Sequence, residues 1–176
     1  FSLSGTGSEN FSVDSSGNIS LVNSLDYETA TSYTLALNAS DGVNTTTSEL
    51  IITVDDVNEA PSLSNSLAAS SFAENISTGI TIATASASDP ESQTITYSLS
   101  GTGSGNFAVD SFGNITLAAG LDYETATSYS LTLSASDGVN TSTNALAITV
   151  DDVNEPPILS NSLAASSFAE NVSTGT

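Results

Sequence analysis

The sequence predicts an all-β protein built from tandem seven-stranded β-sandwiches. Three observations predict it. The chain repeats itself, the copies drift apart at every second position of their apolar runs, and those runs are short and punctuated by turn residues. Asp26 recurs as Asp122, Asp55 as Asp151 and Glu74 as Glu170, each 96 residues further on, and residues 1–80 overlay 97–176 without a gap. A period this long denotes tandem domains rather than a short-unit solenoid. The drifting pairs are Ser12/Ala108, Thr34/Ser130, Ala36/Thr132, Asn38/Ser134, Glu49/Ala145 and Ile51/Ala147. The positions between them hold Val13/Val109, Leu35/Leu131, Leu37/Leu133, Leu50/Leu146 and Ile52/Ile148. A period of two means strands with one packed face and one free face, the pattern of antiparallel sheets.

In the complete copy the strands are expected at 71–75, 80–87, 94–99, 107–109, 115–117, 128–135 and 145–150. Ser, Thr, Ile, Val and Tyr dominate these runs and suit a pleated, half-buried surface. Turns are expected at Gly101-Thr102-Gly103, at Asp110-Ser111-Phe112-Gly113-Asn114 and at Asp137-Gly138, where glycine and Asx residues supply the backbone freedom and local hydrogen bonds that turns need. Asp14 and Asp110 read as turn residues of a hairpin. Tyr33, Tyr97 and Tyr129 alternate with Leu and Ile and read as core, whereas Tyr27 and Tyr123 are expected near a domain end. No stretch carries a helical stripe, and short strands at regular spacing point to a sandwich. Boundaries fall near Pro61 and Pro157. Residues 1–61 read as the C-terminal part of one repeat, 62–157 as a complete repeat and 158–176 as the start of a further one, so the chain is expected to be a window on a longer array.

Composition excludes several functions. The formal net charge is −20, with no lysine, arginine or histidine. Displacing counterions from a nucleic-acid backbone needs cationic side chains, as does docking on anionic membrane surfaces; neither nucleic acid nor membrane insertion is expected. Without cysteine there is no disulfide framework and no thiolate metal site. Without His, Lys, Cys or Arg the common bases, nucleophiles and oxyanion stabilisers are missing, and no enzyme is expected.

The acids are not scattered. Sixteen of the twenty fall in five motifs: Phe72-Ala73-Glu74-Asn75, Asp89-Pro90-Glu91, Leu25-Asp26-Tyr27-Glu28, Ala39-Ser40-Asp41-Gly42 and Val54-Asp55-Asp56-Val57-Asn58-Glu59-Ala60-Pro61, with their second copies where present. Carboxylates brought together without a cation must repel, or raise their pKa values. The available ligands are all oxygen, which selects Ca²⁺ or Mg²⁺ over zinc or copper, and many carboxylates on irregular loops favour calcium and its loose geometry.

Phe-Ala-Glu-Asn, Ser-Asp-Pro-Glu, Leu-Asp-Tyr-Glu, Ala-Ser-Asp-Gly and Asp-Val-Asn-Glu-Pro-Pro, in this order and spacing, resemble the cadherin repeat in its bacterial form. The resemblance implies an immunoglobulin-like, cadherin-like Greek-key sandwich that binds Ca²⁺ between successive domains. Carried over by position, the first junction takes Asp26, Glu28, Asp56, Asn58 and Glu59 from the leading domain, with Asp55 as an extra. From the following domain it takes Asp89, Glu91 and Asp137. The second junction takes Glu74, Asp122, Glu124, Asp152, Asn154 and Glu155, with Asp151 as the counterpart of Asp55. The linker departs from the family pattern: it is one residue shorter, and Asp-Pro-Glu replaces Asp-x-Asp, which lowers the expected ion count. The implied function is a calcium-rigidified stalk or filament-forming module of a large extracellular, cell-surface adhesion protein. Its partners would be neighbouring repeats of the same chain, with head-to-tail or lateral self-association in a filament. No exposed Trp supports adhesion by strand exchange. Two other classes compete: a carbohydrate- or protein-recognition module, which would need an exposed aromatic cluster, and an accessory repeat of a secreted polysaccharide-acting enzyme.

Overall fold

A computed structural model describes residues 1–67, 71–160 and 170. The opening of a further copy, expected over 158–176, lies outside the described residues apart from 158–160 and Glu170. Five strands come first: β1 (Ser2–Ser4), β2 (Phe11–Val13), β3 (Ile19–Leu21), β4 (Ser32–Ser40) and β5 (Thr45–Thr53). They form a three-stranded sheet, β1-β4-β5, and a separate ribbon, β2-β3. Eight more follow: β6 (Ser62–Leu67), β7 (Ser71–Ala73), β8 (Thr81–Ser88), β9 (Thr96–Ser100), β10 (Phe107–Val109), β11 (Asn114–Leu117), β12 (Ser128–Ser136) and β13 (Thr141–Asp151).

The second set makes two four-stranded sheets, β10-β11-β8-β6 and β7-β13-β12-β9. All pairs are antiparallel except β7 with β13, where Val150 lies opposite Phe72 in a parallel register. The sheets close on one core. Ile82, Phe107, Ile115 and Leu117 face Leu131, Leu133, Leu146, Ile148 and Val150. Along β12 the alternation is complete: Tyr129, Leu131, Leu133 and Ala135 are buried, while Ser130 and Thr132 between them are exposed. Tyr129 meets Phe107 edge-to-face at 5.2 Å, and its hydroxyl accepts a hydrogen bond from Asn106 Nδ2 at 2.9 Å, so the buried ring keeps its polar end satisfied.

The all-β sandwich expected from the alternation is what the chain forms, with two differences. The first strand expected, 71–75, is β7, and a strand that was not expected, β6, precedes it in the other sheet. Only Leu63 and Leu67 of Ser-Leu-Ser-Asn-Ser-Leu pack against the core, too sparse a pattern to predict a strand. β13 also starts earlier than the apolar run at Ala145. The tight Asp137–Asn140 turn lets pairing begin at once, with Ser136 opposite Thr141, and hydroxyl side chains carry the first residues of the strand.

The Asp110–Asn114 turn is built by its own side chains. Asp110 Oδ1 accepts the N–H groups of Phe112 and Asn114, and Oδ2 accepts Asn114 Nδ2. Gly113 turns the chain at φ 81°, where a Cβ would lie 2.5 Å from the Ala85 carbonyl oxygen, so only glycine fits.

Register sends the acidic motifs to the two ends of the sandwich. Ser62 pairs with Ser88 and Thr96 with Ser136, which gathers the linker, Asp89–Glu91 and Asp137 at one end. Ala73 pairs with Asp151 and Ser128 with Thr149, which gathers Glu74, Asp122–Glu124 and the following linker at the other.

Candidate metal centre at the domain junctions

At the second junction Glu74 is the buried anchor, only 9% exposed. The parallel pairing of β7 on β13 places it there, and its own N–H donates to the Asp151 carbonyl at 3.1 Å. Its carboxylate receives the N–H of Tyr123 at 2.7 Å on one oxygen and that of Val153 at 2.7 Å on the other. One side chain thus ties the Asp-Tyr-Glu turn to the linker. These two amides hold the Glu74 carboxyl below its ordinary value. Glu155 is pushed up instead, by burial first and then by its hydrogen bond to, and the charge of, Glu74. Oxygens of Glu74, Asp122 and Glu124 lie within 4.8 Å of one another, and so do those of Glu74, Asp152 and Glu155. Glu74, Asp122, Glu124 and Glu155 line a cleft of about 670 Å³.

At the first junction Glu28 from the leading repeat, Glu59 from the linker and Glu91 from the following sandwich converge within the same 4.8 Å. Asp26, Glu28 and Glu59 line a cleft against Pro90. Glu59 N–H donates to Glu91 at 3.3 Å. The Glu59 carboxyl is raised from its ordinary 4.5 to about 7, by a hydrogen bond to Glu91, by burial, and by the negative charge of Glu91 and Glu28. Glu91 is lowered, chiefly because Glu59 donates to it. The two carboxyls are thus pushed in opposite directions, as crowded carboxylates are without a cation. Two oxygens here, Asp89 Oδ2 and Glu91 Oε2, are buried and lack any hydrogen-bond donor.

Several residues proposed from the sequence also serve the local backbone. Asp26 and Asp122 cap the turns that follow them, each accepting the N–H and hydroxyl of the Thr three residues on, Thr29 and Thr125. Asp89 Oδ1 accepts Gln93 N–H at 3.0 Å. Asp55, Asp56 and Asp151 are exposed, and only Asp152 of the paired aspartates joins a converging group. Asn154 is exposed and donates to the Glu155 carbonyl. Asp137 Oδ1 accepts Val139 N–H at 2.7 Å and Asn140 N–H at 2.6 Å, while Oδ2 accepts Asn58 Nδ2 at 2.8 Å. Asn58 is held further by Gln93 and Asn140, neither of which is among the residues expected at the junction. Two signals were available: Gln93 is the only glutamine of the chain, and Asn140 recurs as Asn44.

The donor set is hard oxygen throughout, which suits a hard cation such as Ca²⁺ or Mg²⁺ and offers nothing to a soft metal.

These features define a class: tandem β-sandwich repeats joined by short acidic linkers. The chain carries a cadherin repeat: the cadherin-domain family model matches residues 69–151. The mouse protein Protocadherin Fat 4 is 32% identical over 167 residues, covering 88% of this chain and 3% of that protein. Mouse Cadherin EGF LAG seven-pass G-type receptor 2 is 33% identical over 180 residues, covering 95% of this chain and 6% of its own length. The chain therefore spans only a small fraction of these curated relatives. Among solved structures, extracellular cadherin domains 3–6 of Protocadherin Gamma B2 superpose with a TM-score of 0.63 at 22% identity, covering 84% of this chain and 37% of that one. Domains 1–2 of human Protocadherin-24 give 0.62 at 25% identity, covering 86% and 80%. Cadherin domains are non-enzymatic modules, and the part of the chain that the family model matches is one of them.

Proposed function

We propose that this chain is a calcium-binding structural repeat of a long extracellular surface protein, in which the cation stiffens successive sandwiches into a stalk or filament. Residues 1–61, 62–157 and 158–176 are then parts of three successive repeats, each the next one's partner, with head-to-tail or lateral association building longer assemblies. The observation that carries the reading is the convergence of Glu28, Glu59 and Glu91, one carboxylate from each side and one from the linker. Each junction holds a carboxyl whose pKa is pushed up. Glu28, Glu59, Glu91 and Asp89 would hold the ion at the first junction, with Asp26 shaping the turn and Asp55, Asp56, Asn58 and Asp137 within the same acidic neighbourhood. Glu74, Asp122, Glu124, Asp152 and Glu155 would hold it at the second, beside Asp151 and Asn154. The cation supplies the positive charge that the sequence lacks. The chain's own part is to present oxygens from two bodies to one point, so that occupancy fixes their relative position.

The test is a thermal melt and small-angle scattering with calcium and with chelator. A ligand that binds only the folded state at a hundred times its Kd adds about 2.7 kcal/mol. For a domain of this size that corresponds to a melting temperature about 10–20 °C higher. An unchanged melt together with an unchanged maximum dimension would reject the reading.

A further inference from the structure

We propose that segment 158–176 of one copy adds as a strand to the open edge of β5 in a second copy, joining copies head to tail. The inference rests on the head-to-tail association proposed above and names the surfaces that make it. The molecule carries its own example of the contact. β7 lies along β13 in parallel, with Ser71, Phe72 and Ala73 opposite Thr149, Val150 and Asp151. β6 lies against the same strand, and Leu63, Leu67 and Phe72 pack on the core. One period earlier β5 is the counterpart of β13, and among the described residues its sheet partner is β4 alone. Residues 158–176 repeat 62–80, the stretch that carries β6 and β7, and differ only at Ser62/Ile158, Ile76/Val172 and Ile80/Thr176.

Both surfaces are open. Leu133, Leu146, Ile148 and Val150 are buried in the β6–β13 sandwich, whereas their counterparts Leu37, Leu50, Ile52 and Val54 are only half-buried. The donor is equally unpartnered: Ile158 is 95% and Leu159 92% exposed, while Leu63, the counterpart of Leu159, is half-buried. Moving the internal example by one period sets Ser167, Phe168 and Ala169 opposite Thr53, Val54 and Asp55. It brings Leu159 and Leu163 to the places of Leu63 and Leu67, over the half-buried side chains of β5. Phe168 takes the part of Phe72, so the contact needs no tryptophan anchor. An added strand supplies main-chain hydrogen bonds, and alternate side chains supply the specificity. Donor and acceptor lie at opposite ends of the sequence, so the contact is heterologous and extends into an open filament.

The experiment is sedimentation velocity on the 176-residue chain over a concentration series, in chelator and again with calcium. The expected result is a ladder of oligomers that lengthens with concentration, and with salt, which screens the net charge of −20 on each copy. Phe168→Ser, which lies outside the β6–β13 sandwich, should return the chain to monomer. A peptide of residues 158–176 should shorten the ladder of the parent chain by occupying β5, and the same peptide with Phe168→Ser should not. The chain holds no cysteine, so the register is read by mixing the Thr53→Cys and Ser167→Cys variants, which should form a disulfide-linked dimer. Monomer at every concentration in both buffers, oligomers indifferent to Phe168→Ser and to the peptide, or no cross-link would overturn the proposal. Calcium uptake is measured in the same samples. Oligomers without uptake reject the calcium reading alone, and uptake by a chain that stays monomeric rejects strand addition alone.

Discussion

Replacing Leu133 by alanine removes a side chain that is fully buried between the sheets, at the middle of β12. Its neighbours along the strand face, Leu131 and Ala135, are equally enclosed, and Leu99 lies opposite it on β9, so little can collapse into the space. Large-to-small changes at such sites cost about 3–5 kcal/mol, the lost transfer free energy plus the cavity left behind. At roughly 4–8 °C per kcal/mol for a domain of this size, the melting temperature of the β6–β13 sandwich should fall by at least about 12 °C. The same substitution at Leu63, on the edge strand β6, removes a side chain that is only half-buried. It should cost about 1–2 kcal/mol, in proportion to the smaller apolar area withdrawn from water. The assay is a pair of calorimetric melts at fixed chelator concentration. Equal losses from the two variants, or a larger loss at Leu63, would refute the register that places Leu133 at the centre of a closed core.

Three further outcomes are expected. Gly113→Ala should destabilise the sandwich by about 2 kcal/mol or more in chemical denaturation, because it combines a left-handed backbone angle with a close approach to the Ala85 carbonyl. Glu74→Gln replaces one acceptor with a donor facing a backbone N–H, so calorimetric calcium titration should show weaker binding, with shift changes confined to Tyr123 and Val153 in the amide spectrum. The third outcome concerns pH. Glu59 keeps its proton up to about 7 in the folded chain against an ordinary 4.5, so its contribution is fully present below the ordinary value and is lost as pH rises through about 7. Glu91, Glu74 and Asp137 are lowered, so their contribution is present above their ordinary values and is lost as pH falls through their depressed ones. Stability in chelator should therefore decline between about pH 5 and pH 8. Calcium uptake near neutrality should release a proton, seen as a binding enthalpy that changes with the ionisation enthalpy of the buffer.

Much of the fold is visible in the sequence because burial has a period of two. The exchanges Thr34/Ser130 and Ala36/Thr132, alternating with invariant leucines, mark the outer face of β4 and β12 before any coordinates exist. β6 is hidden because an edge strand with two core-facing leucines in six residues leaves almost no periodic signal. The candidate site is legible as a set of motifs but not as a geometry. Spacing cannot show that Asp26 and Asp122 also accept hydrogen bonds from Thr29 and Thr125, or that Asp137 accepts three N–H donors. Which carboxylates remain short of donors depends on where backbone amides fall after folding, and that placement is tertiary. The places of Gln93 and Asn140 at the junction are illegible for the same reason, since neutral amides carry no charge pattern.

The central claim is that Glu28, Glu59 and Glu91 meet around one calcium ion. Calcium titrated into the 176-residue chain and followed residue by residue in the amide spectrum tests it most directly. The account predicts saturable shifts at Glu28, Glu59 and Glu91 together, at one affinity, abolished by Glu91→Gln, with the β6–β13 core amides unmoved. Shifts spread evenly over all the acidic residues with no saturation, or saturable shifts that survive Glu91→Gln, would contradict it.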